Sequence, residues 1–349
     1  MRTIYWENCI KMIDQTKLPD ELEILEIRNV DDLVSAIKRL SIRGAPALEA
    51  AGGYGVALAC IEREFDSFED FLKYVSERAS SLANARPTAV NLSVGVERVL
   101  RKVKAASSIE EARKLAVQEA EKIAEEDVFR NRLMGSFGAK LIEDGDSILT
   151  ICNTGSLATV EWGTALGVIR SAKLEGKNIR VFACETRPLN QGSRLTTWEL
   201  INDGIDVTLI TDSMAGIVMQ KGMVDKVIVG ADRIVSDGVF NKIGTYTLAV
   251  LAKEHGIPFF VAAPLTTFDW EKKMDDVVIE ERDADELRYC HVKCKNCRIA
   301  PENVKVYNPA FDSTPLSYVS ALITEKGVIF PPYDESVPKV LKSKEFINR

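Results

Sequence analysis

Ile148-Leu-Thr-Ile-Cys152-Asn-Thr-Gly155-Ser-Leu-Ala158 carries the chain from a strand-like run into a small-residue turn. Residues 148–151 are a short apolar run with the character of a buried strand. The run stops at a cysteine, turns through Asn-Thr-Gly, and enters a small-residue segment that reads as a helix. A thiol at the carboxyl end of a strand, just ahead of a helix N-terminus, is placed for sulfur activation and anion binding. A free cysteine is equally a good small core residue, so position alone leaves Cys152 open between the two roles.

Working outward, similar apolar runs recur at 179–184, 206–211, 226–230 and 258–263, separated by helical stretches. That spacing is the rhythm of βα units, whose right-handed crossovers build a parallel sheet covered by helices. The stretch before Asp144-Gly145 is mainly helical, with a small hairpin expected within residues 3–18. The expected architecture is therefore α/β: a mostly helical N-terminal domain, 1–143, followed by a Rossmann-like doubly wound parallel-sheet domain, 144–349. In such sheets ligands bind beyond the carboxyl ends of the strands. Those ends offer Cys152, Cys184-Glu185, Thr211-Asp212-Ser213 and Gly230-Ala-Asp232-Arg233. The bland role for Asp232 is a helix N-cap. No G-x-G-x-x-G follows the first strand of this half and no Walker A sequence occurs, which disfavours dinucleotide and triphosphate sites.

In the N-terminal half, Asp31 or Asp32 is expected to cap a helix. Pro46 starts an Ala/Gly-rich helix after Ser41-Ile-Arg43-Gly44. Gly52, Gly53 and Gly55 each weaken that helix by about 1 kcal/mol, so they imply close approach of another element or a ligand. Asn84-Ala-Arg86-Pro87 repeats the pattern of an arginine in a turn before a proline-started helix. Such turns can aim a guanidinium and backbone N–H groups at a phosphate. The bland role for each arginine is a surface charge, and Lys242 by itself reads as a solvated lysine.

The chain of 349 residues carries a net charge of −7, which disfavours a general nucleic-acid surface. No apolar run approaches the roughly 20 residues that span a bilayer, so no membrane partner is expected. Met1-Arg-Thr-Ile-Tyr-Trp6 lacks the apolar core of a secretion signal, and the expected location is cytoplasmic. Seven cysteines, an odd number, read as free thiols, a catalytic thiol or metal ligands before they read as a disulfide framework. Only His255 and His291 are present, too few for a multi-histidine catalytic metal site.

A set of motifs in fixed order then gives the sequence a family. Arg43-Gly-Ala-Pro46, Arg86-Pro87-Thr88, Cys152-Asn-Thr-Gly155, Glu185-Thr-Arg-Pro188-Leu-Asn-Gln191-Gly, Gly230-Ala-Asp232-Arg and Asn241-Lys242-Ile-Gly244-Thr-Tyr246 occur together. With Tyr307-Asn-Pro-Ala-Phe-Asp312 and Ile329-Phe-Pro-Pro-Tyr333, they closely resemble the methylthioribose-1-phosphate isomerases, in the superfamily of the regulatory subunits of translation initiation factor 2B. The resemblance implies aldose–ketose isomerisation of 5-methylthioribose 1-phosphate in methionine salvage, a sugar-phosphate substrate, no cofactor and a homodimer. It places the catalytic pair on Cys152 and Asp232. It places phosphate and sugar contacts on Arg43, Gly44, Ala45, Arg86, Gln191, Asn241 and Lys242. Two other answers stay open from sequence: the related ribose-1,5-bisphosphate isomerase, and a non-catalytic regulatory protein like the factor 2B subunits.

One stretch departs from the family pattern. Between Ile279-Glu-Glu-Arg-Asp283 and Arg298-Ile-Ala-Pro-Glu302 the chain carries Cys290, His291, Cys294 and Cys297. A Cys3His set suits zinc by ligand type, although one cluster this tight is strained for it. C-x-x-C also permits a disulfide or redox role, and incidental thiols in a loop are the bland alternative. No metal is assigned to these four residues.

Overall fold

The computed structural model describes residues 1–86, 89–290, 297–298 and 305–342. By compactness the chain divides into two units, Met1–Arg132 with Thr154–Gly167, and Leu133–Asn153 with Val168–Arg349. The chain crosses between the units more than once, whereas the sequence-based division into 1–143 and 144–349 is a single cut. The segment 154–167, just after Cys152, belongs with the first unit.

The first unit opens with strands β1 (Ile4–Trp6), β2 (Ile10–Ile13) and β3 (Ile24–Ile27) in one antiparallel sheet, so the expected hairpin gains a third strand. Helices α1 (Val30–Lys38), α2 (Ala45–Ile61), α3 (Phe68–Ala83), α4 (Val90–Lys104) and α5 (Ile109–Ala139) follow, and α5 runs on into the second unit. The cap of α1 is Asn29, whose side chain accepts from the Asp32 N–H, and not Asp31 or Asp32. The starts of α3 and α5 are as the sequence reads: Ser67 accepts from the Asp70 N–H at the start of α3, and Ser108 accepts from the Glu111 N–H at the start of α5.

Helix α2 is buried on nearly every face. Its glycines answer to another helix: a side chain on Gly52 would strike the Leu92 carbonyl of α4, and one on Gly95 of α4 would strike the Glu49 carbonyl of α2. Backbones this close leave no room for a Cβ. Pro87 and Thr88 lie outside the described residues, and α4 begins at Val90.

The core of this unit also holds two carboxylates. Glu49, on α2, is largely buried, and burial raises its pKa. Asp127 is buried in α5, where its Oδ2 accepts the Val160 N–H at 2.7 Å. Burial drives the Asp127 carboxyl from 3.8 up to about 7; the Val160 N–H works against the rise and the charge of Glu49 adds to it. A carboxyl whose folded pKa is raised stabilises most below its unfolded value, and that contribution disappears as pH climbs through the folded value. Asp127→Asn keeps an acceptor for Val160 and has no charge to bury. We expect urea melts of the wild type to lose a few kcal/mol relative to Asp127→Asn between pH 4 and pH 8, at about 1.4 kcal/mol per pK unit. Parallel pH profiles of the two proteins would contradict this.

The second unit contains β4 (Ser147–Thr150), α6 (Ala165–Leu174, shared with the first unit), β5 (Arg180–Cys184), α7 (Thr197–Asn202), β6 (Asp206–Ile210), α8 (Ala215–Gln220) and β7 (Lys226–Val229). It continues through β8 (Arg233–Ile234), β9 (Gly238–Lys242), α9 (Thr245–Glu254), β10 (Phe259–Ala262), α10 (Asp285–Arg288), β11 (Tyr289–Cys290) and β12 (Cys297–Arg298). It ends with β13 (Phe311–Pro315), β14 (Ala321–Thr324), β15 (Gly327–Ile329) and α11 (Tyr333–Lys342). The main sheet has the order β15-β14-β10-β7-β4-β5-β6, all parallel except the edge strand β15. Strands β4, β7 and β10 are wholly buried, which is why they read as apolar-rich runs without polar/apolar alternation. The sheet winds one way from β4 through β5 to β6 and the other way from β7 through β10 to β14. This is the doubly wound α/β architecture expected from the sequence, and its direction switches between β4 and β7.

Candidate active site

Cys152 follows β4 and Asp232 follows β7, the two neighbouring strands at the switch point. The register pairs Leu149 with Val227, so the ends of both strands open on the same edge of the sheet. The sheet therefore brings these two sequence-predicted residues to one edge.

The segment after Cys152 is not the helix expected from the sequence. Only a single 3-10 turn, Ser156–Ala158, forms there, and α6 begins at Ala165. The environment of the sulfur is instead set by a strained turn. Cys152 has φ +67, a left-handed conformation that a side-chain-bearing residue rarely adopts. Its N–H donates to Thr186 Oγ1 at 2.8 Å, and its carbonyl accepts from Thr196 Oγ1 at 2.6 Å. Thr186, itself at φ +65, follows β5; its N–H and that of Arg187 donate to the two oxygens of Asp212 at 2.8 Å each.

Two of the other described thiols, Cys60 and Cys184, differ sharply from Cys152. Burial pushes Cys184 up to about 12, with Asp212 and Glu185 adding to the rise, and burial likewise pushes Cys60 up to about 12. Both are inert core cysteines, whereas Cys152 is only half-buried.

Asp232 is not a helix N-cap. It precedes β8 and its N–H donates to the Phe240 carbonyl of β9 at 2.8 Å. The hairpin β8–β9 turns at Ser236-Asp237-Gly238, with the Val235 N–H on the Gly238 carbonyl. The carboxylate is exposed at the mouth of this hairpin, while Val229 and Ile234 on either side are fully buried.

Asn241 and Lys242 close β9, the middle strand of the sheet β13-β9-β8. Lys242 is 5% exposed, so the reading of a solvated lysine is corrected; its Nζ lies 3.4 Å from the Ala310 carbonyl. Asn241 is buried and donates to Thr245 Oγ1. Opposite Asn241 in the register stands Asp312, whose carboxylate accepts the N–H groups of Gly244 and Tyr246. Burial raises Asp312 to about 6; those two N–H groups and Lys242 hold it from rising further. Gln191 opens an irregular wide turn, Gly192–Thr196, and its buried Oε1 has no hydrogen-bond partner among the described residues. A buried acceptor in that condition is suited to a ligand hydroxyl or amide donor.

The remaining predicted residues lie in the first unit. Gly44, at φ +91, caps α2, whose first residue is Ala45, and Arg43 stands half-buried just before it. Gly44 packs against the Ala158 backbone so closely that no Cβ fits. Arg86 is half-buried in the turn after α3. Of the cysteine-rich stretch, the backbone pairs Cys290 with Cys297 across β11–β12, and His291 and Cys294 lie outside the described residues. Thr186, Thr196 and Asp312 were missed as site residues by sequence reasoning. Thr186 and Asp312 sit inside the motifs quoted above.

Residues 41–331 match the profile of the Initiation factor 2 subunit family. The methylthioribose-1-phosphate isomerase of Acetivibrio thermocellus is 51% identical over 339 residues, covering 96% of this chain and 98% of that one. This chain belongs to the methylthioribose-1-phosphate isomerases of the initiation factor 2 subunit family. The crystal structure of 5-methylthioribose 1-phosphate isomerase from Pyrococcus horikoshii superposes with a TM-score of 0.92 at 45% identity, covering 97% of this chain and 95% of that one. The crystal structure of the translation initiation factor eIF-2B, subunit delta, from A. fulgidus superposes with a TM-score of 0.91 at 66% identity, covering 98% and 99%.

Proposed function

We propose that this chain converts 5-methylthioribose 1-phosphate into 5-methylthioribulose 1-phosphate, an aldose–ketose isomerisation in methionine salvage, with Cys152 and Asp232 as its acid–base pair. The observation that carries this reading is the placement of a half-buried thiol and an exposed carboxylate at the ends of the two switch-point strands. In the substrate O1 is esterified, so the ring does not open freely to an aldehyde. The ring oxygen needs a proton, and hydrogen must then move between C2 and C1, work suited to two groups approaching from different strand ends. Arg43 and Arg86, with the N–H groups of Gly44 and Ala45, are the phosphate contacts we assign. A guanidinium beside a helix N-terminus combines charge with free backbone donors. Gln191, Asn241 and Lys242 are assigned to the sugar and its phosphate. The strained turn at Cys152 and the unpartnered Gln191 Oε1 support these assignments. We further propose a cytoplasmic homodimer; the seven cysteines without a disulfide pattern support the compartment.

A regulatory role has one observation in its favour, the close likeness to the A. fulgidus protein described as an initiation factor subunit. Purified protein offered 5-methylthioribose 1-phosphate and ribose 1,5-bisphosphate separately distinguishes the readings. We expect turnover of the first with a kcat/KM at least about 100-fold above the second. Preferred turnover of the bisphosphate would move the assignment to that isomerase. Turnover of neither, with binding to an initiation factor, would support regulation.

A further inference from the structure

We propose that Thr196 is a positioning residue for Cys152, held in place by Asn153 and a buried ion pair of Glu199 with Arg170. The proposal rests on the acid–base reading of Cys152 and explains what sets the direction of its thiol. Thr196 is the last residue of the wide turn Gly192–Thr196, a local break in helical register of the kind often found at functional sites. The break carries its hydroxyl onto the Cys152 carbonyl, to which it donates at 2.6 Å.

The same hydroxyl lies 3.3 Å from Asn153 Nδ2, and Asn153 Nδ2 donates at 2.7 Å to Glu199 Oε1. The other carboxylate oxygen of Glu199 takes a 2.6 Å bond from Arg170, whose Nε donates to Asp203 at 2.7 Å. Thr196, Asn153, Glu199 and Arg170 are 1%, 2%, 2% and 8% exposed, so the chain of bonds is buried from Thr196 to Arg170. Burial works against the Arg170 charge, and the two carboxylates more than offset it, leaving its pKa raised.

Hydrophobic residues often replace a buried ion pair at no loss of stability, so stability alone is a weak account of this one. It does fix the Asn153 amide, through it the Thr196 hydroxyl, and through that the peptide after a cysteine held at φ +67. Thr186 holds the peptide before it. A residue in this conformation relaxes when a hydrogen bond holding its backbone is cut, and the thiol swings with the backbone.

The test compares Thr196→Val, which keeps the shape and removes the hydroxyl, with Thr196→Ser, which keeps the hydroxyl. We expect Thr196→Val to lower kcat by about 30- to 100-fold with KM within about threefold, the pattern of a displaced reacting group with intact binding. Thr196→Ser should stay within about threefold of wild-type kcat. Glu199→Gln, which retains an acceptor for Asn153 and loses the charge facing Arg170, is the second variant, with an expected drop of about tenfold in kcat at unchanged KM. It decides the question if Thr196→Val fails to fold. Wild-type kcat in Thr196→Val, or in Glu199→Gln, alongside an inactive Cys152→Ser overturns the positioning role and leaves the catalytic role of Cys152 standing. An active Cys152→Ser overturns both.

Discussion

Cys152→Ser and Asp232→Asn are each expected to lower kcat by about 10²–10⁴-fold, the range for losing a positioned acid or base, with KM little changed. Both side chains sit at strand ends where the backbone is held by hydrogen bonds: the Cys152 peptides by Thr186 and Thr196, the Asp232 N–H by Phe240. Neither substitution disturbs those backbone bonds, and both nearly conserve volume, so each protein should fold with a melting temperature close to wild type. A serine hydroxyl is far less acidic than a thiol, and an asparagine neither takes nor gives the proton. Steady-state kinetics on the two variants decide the matter. Near-normal turnover in either one removes that residue from the chemistry. Cys184→Ser supplies a control: this buried thiol, pushed up to about 12, should tolerate the change without a comparable loss of kcat.

The largest structural effect is expected from Gly192→Ala. A Cβ on Gly192 would overlap the Cys184 carbonyl oxygen of β5, and would lie 2.8 Å from the carbonyl carbon and 2.9 Å from Thr186 Oγ1. Backbone atoms of a buried strand paired on both sides cannot step aside as the end of a flexible side chain can. Overpacking of this kind costs about 2–3 kcal/mol. The displaced atoms are the Thr186 hydroxyl that holds the Cys152 N–H and the Cys184 carbonyl to which that hydroxyl donates, so a loss of about 100-fold in kcat should accompany the loss of stability. Thermal melts and turnover assays on the same preparation measure both. A melting temperature equal to wild type would show that the close approach of the turn to β5 is absent.

The sequence made the carboxyl ends of the parallel strands legible, because β4, β7 and β10 are buried on both faces and appear as apolar-rich runs without alternation. Cys152 and Asp232 could thus be placed at strand ends. Their adjacency could not, since strand order depends on crossovers among residues distant in sequence. The helix expected after Cys152 failed because Ser156, Leu157 and Ala158 are governed by burial against other parts of the first unit: the Ser156 carbonyl takes the Thr3 hydroxyl and the Leu157 carbonyl takes Gln15. The bland alternative for Asp232, a helix cap, fails because the helix that βα rhythm predicts there is replaced by the β8–β9 hairpin. Asp237-Gly238 between Ile234-Val235 and Val239-Phe240 is a hairpin signal that local reading could have used. Lys242 reads as solvated by residue type; its burial follows from β9 lying between β8 and β13, a pairing that joins residues about 70 apart. Of the supporting hydroxyls, Thr186 lies inside a quoted motif, but its bond to the Cys152 N–H and the role of Thr196 are invisible until the left-handed cysteine backbone is traced.

The most direct test of the account is alkylation of wild-type protein by iodoacetamide, followed residue by residue by mass spectrometry, with and without saturating 5-methylthioribose 1-phosphate. We predict that Cys152 labels readily in the free protein and at least about tenfold more slowly with the sugar phosphate bound, while Cys60 and Cys184 resist labelling in both. Labelling of Cys152 at the same rate with and without the sugar phosphate would contradict the claim that this thiol faces the substrate.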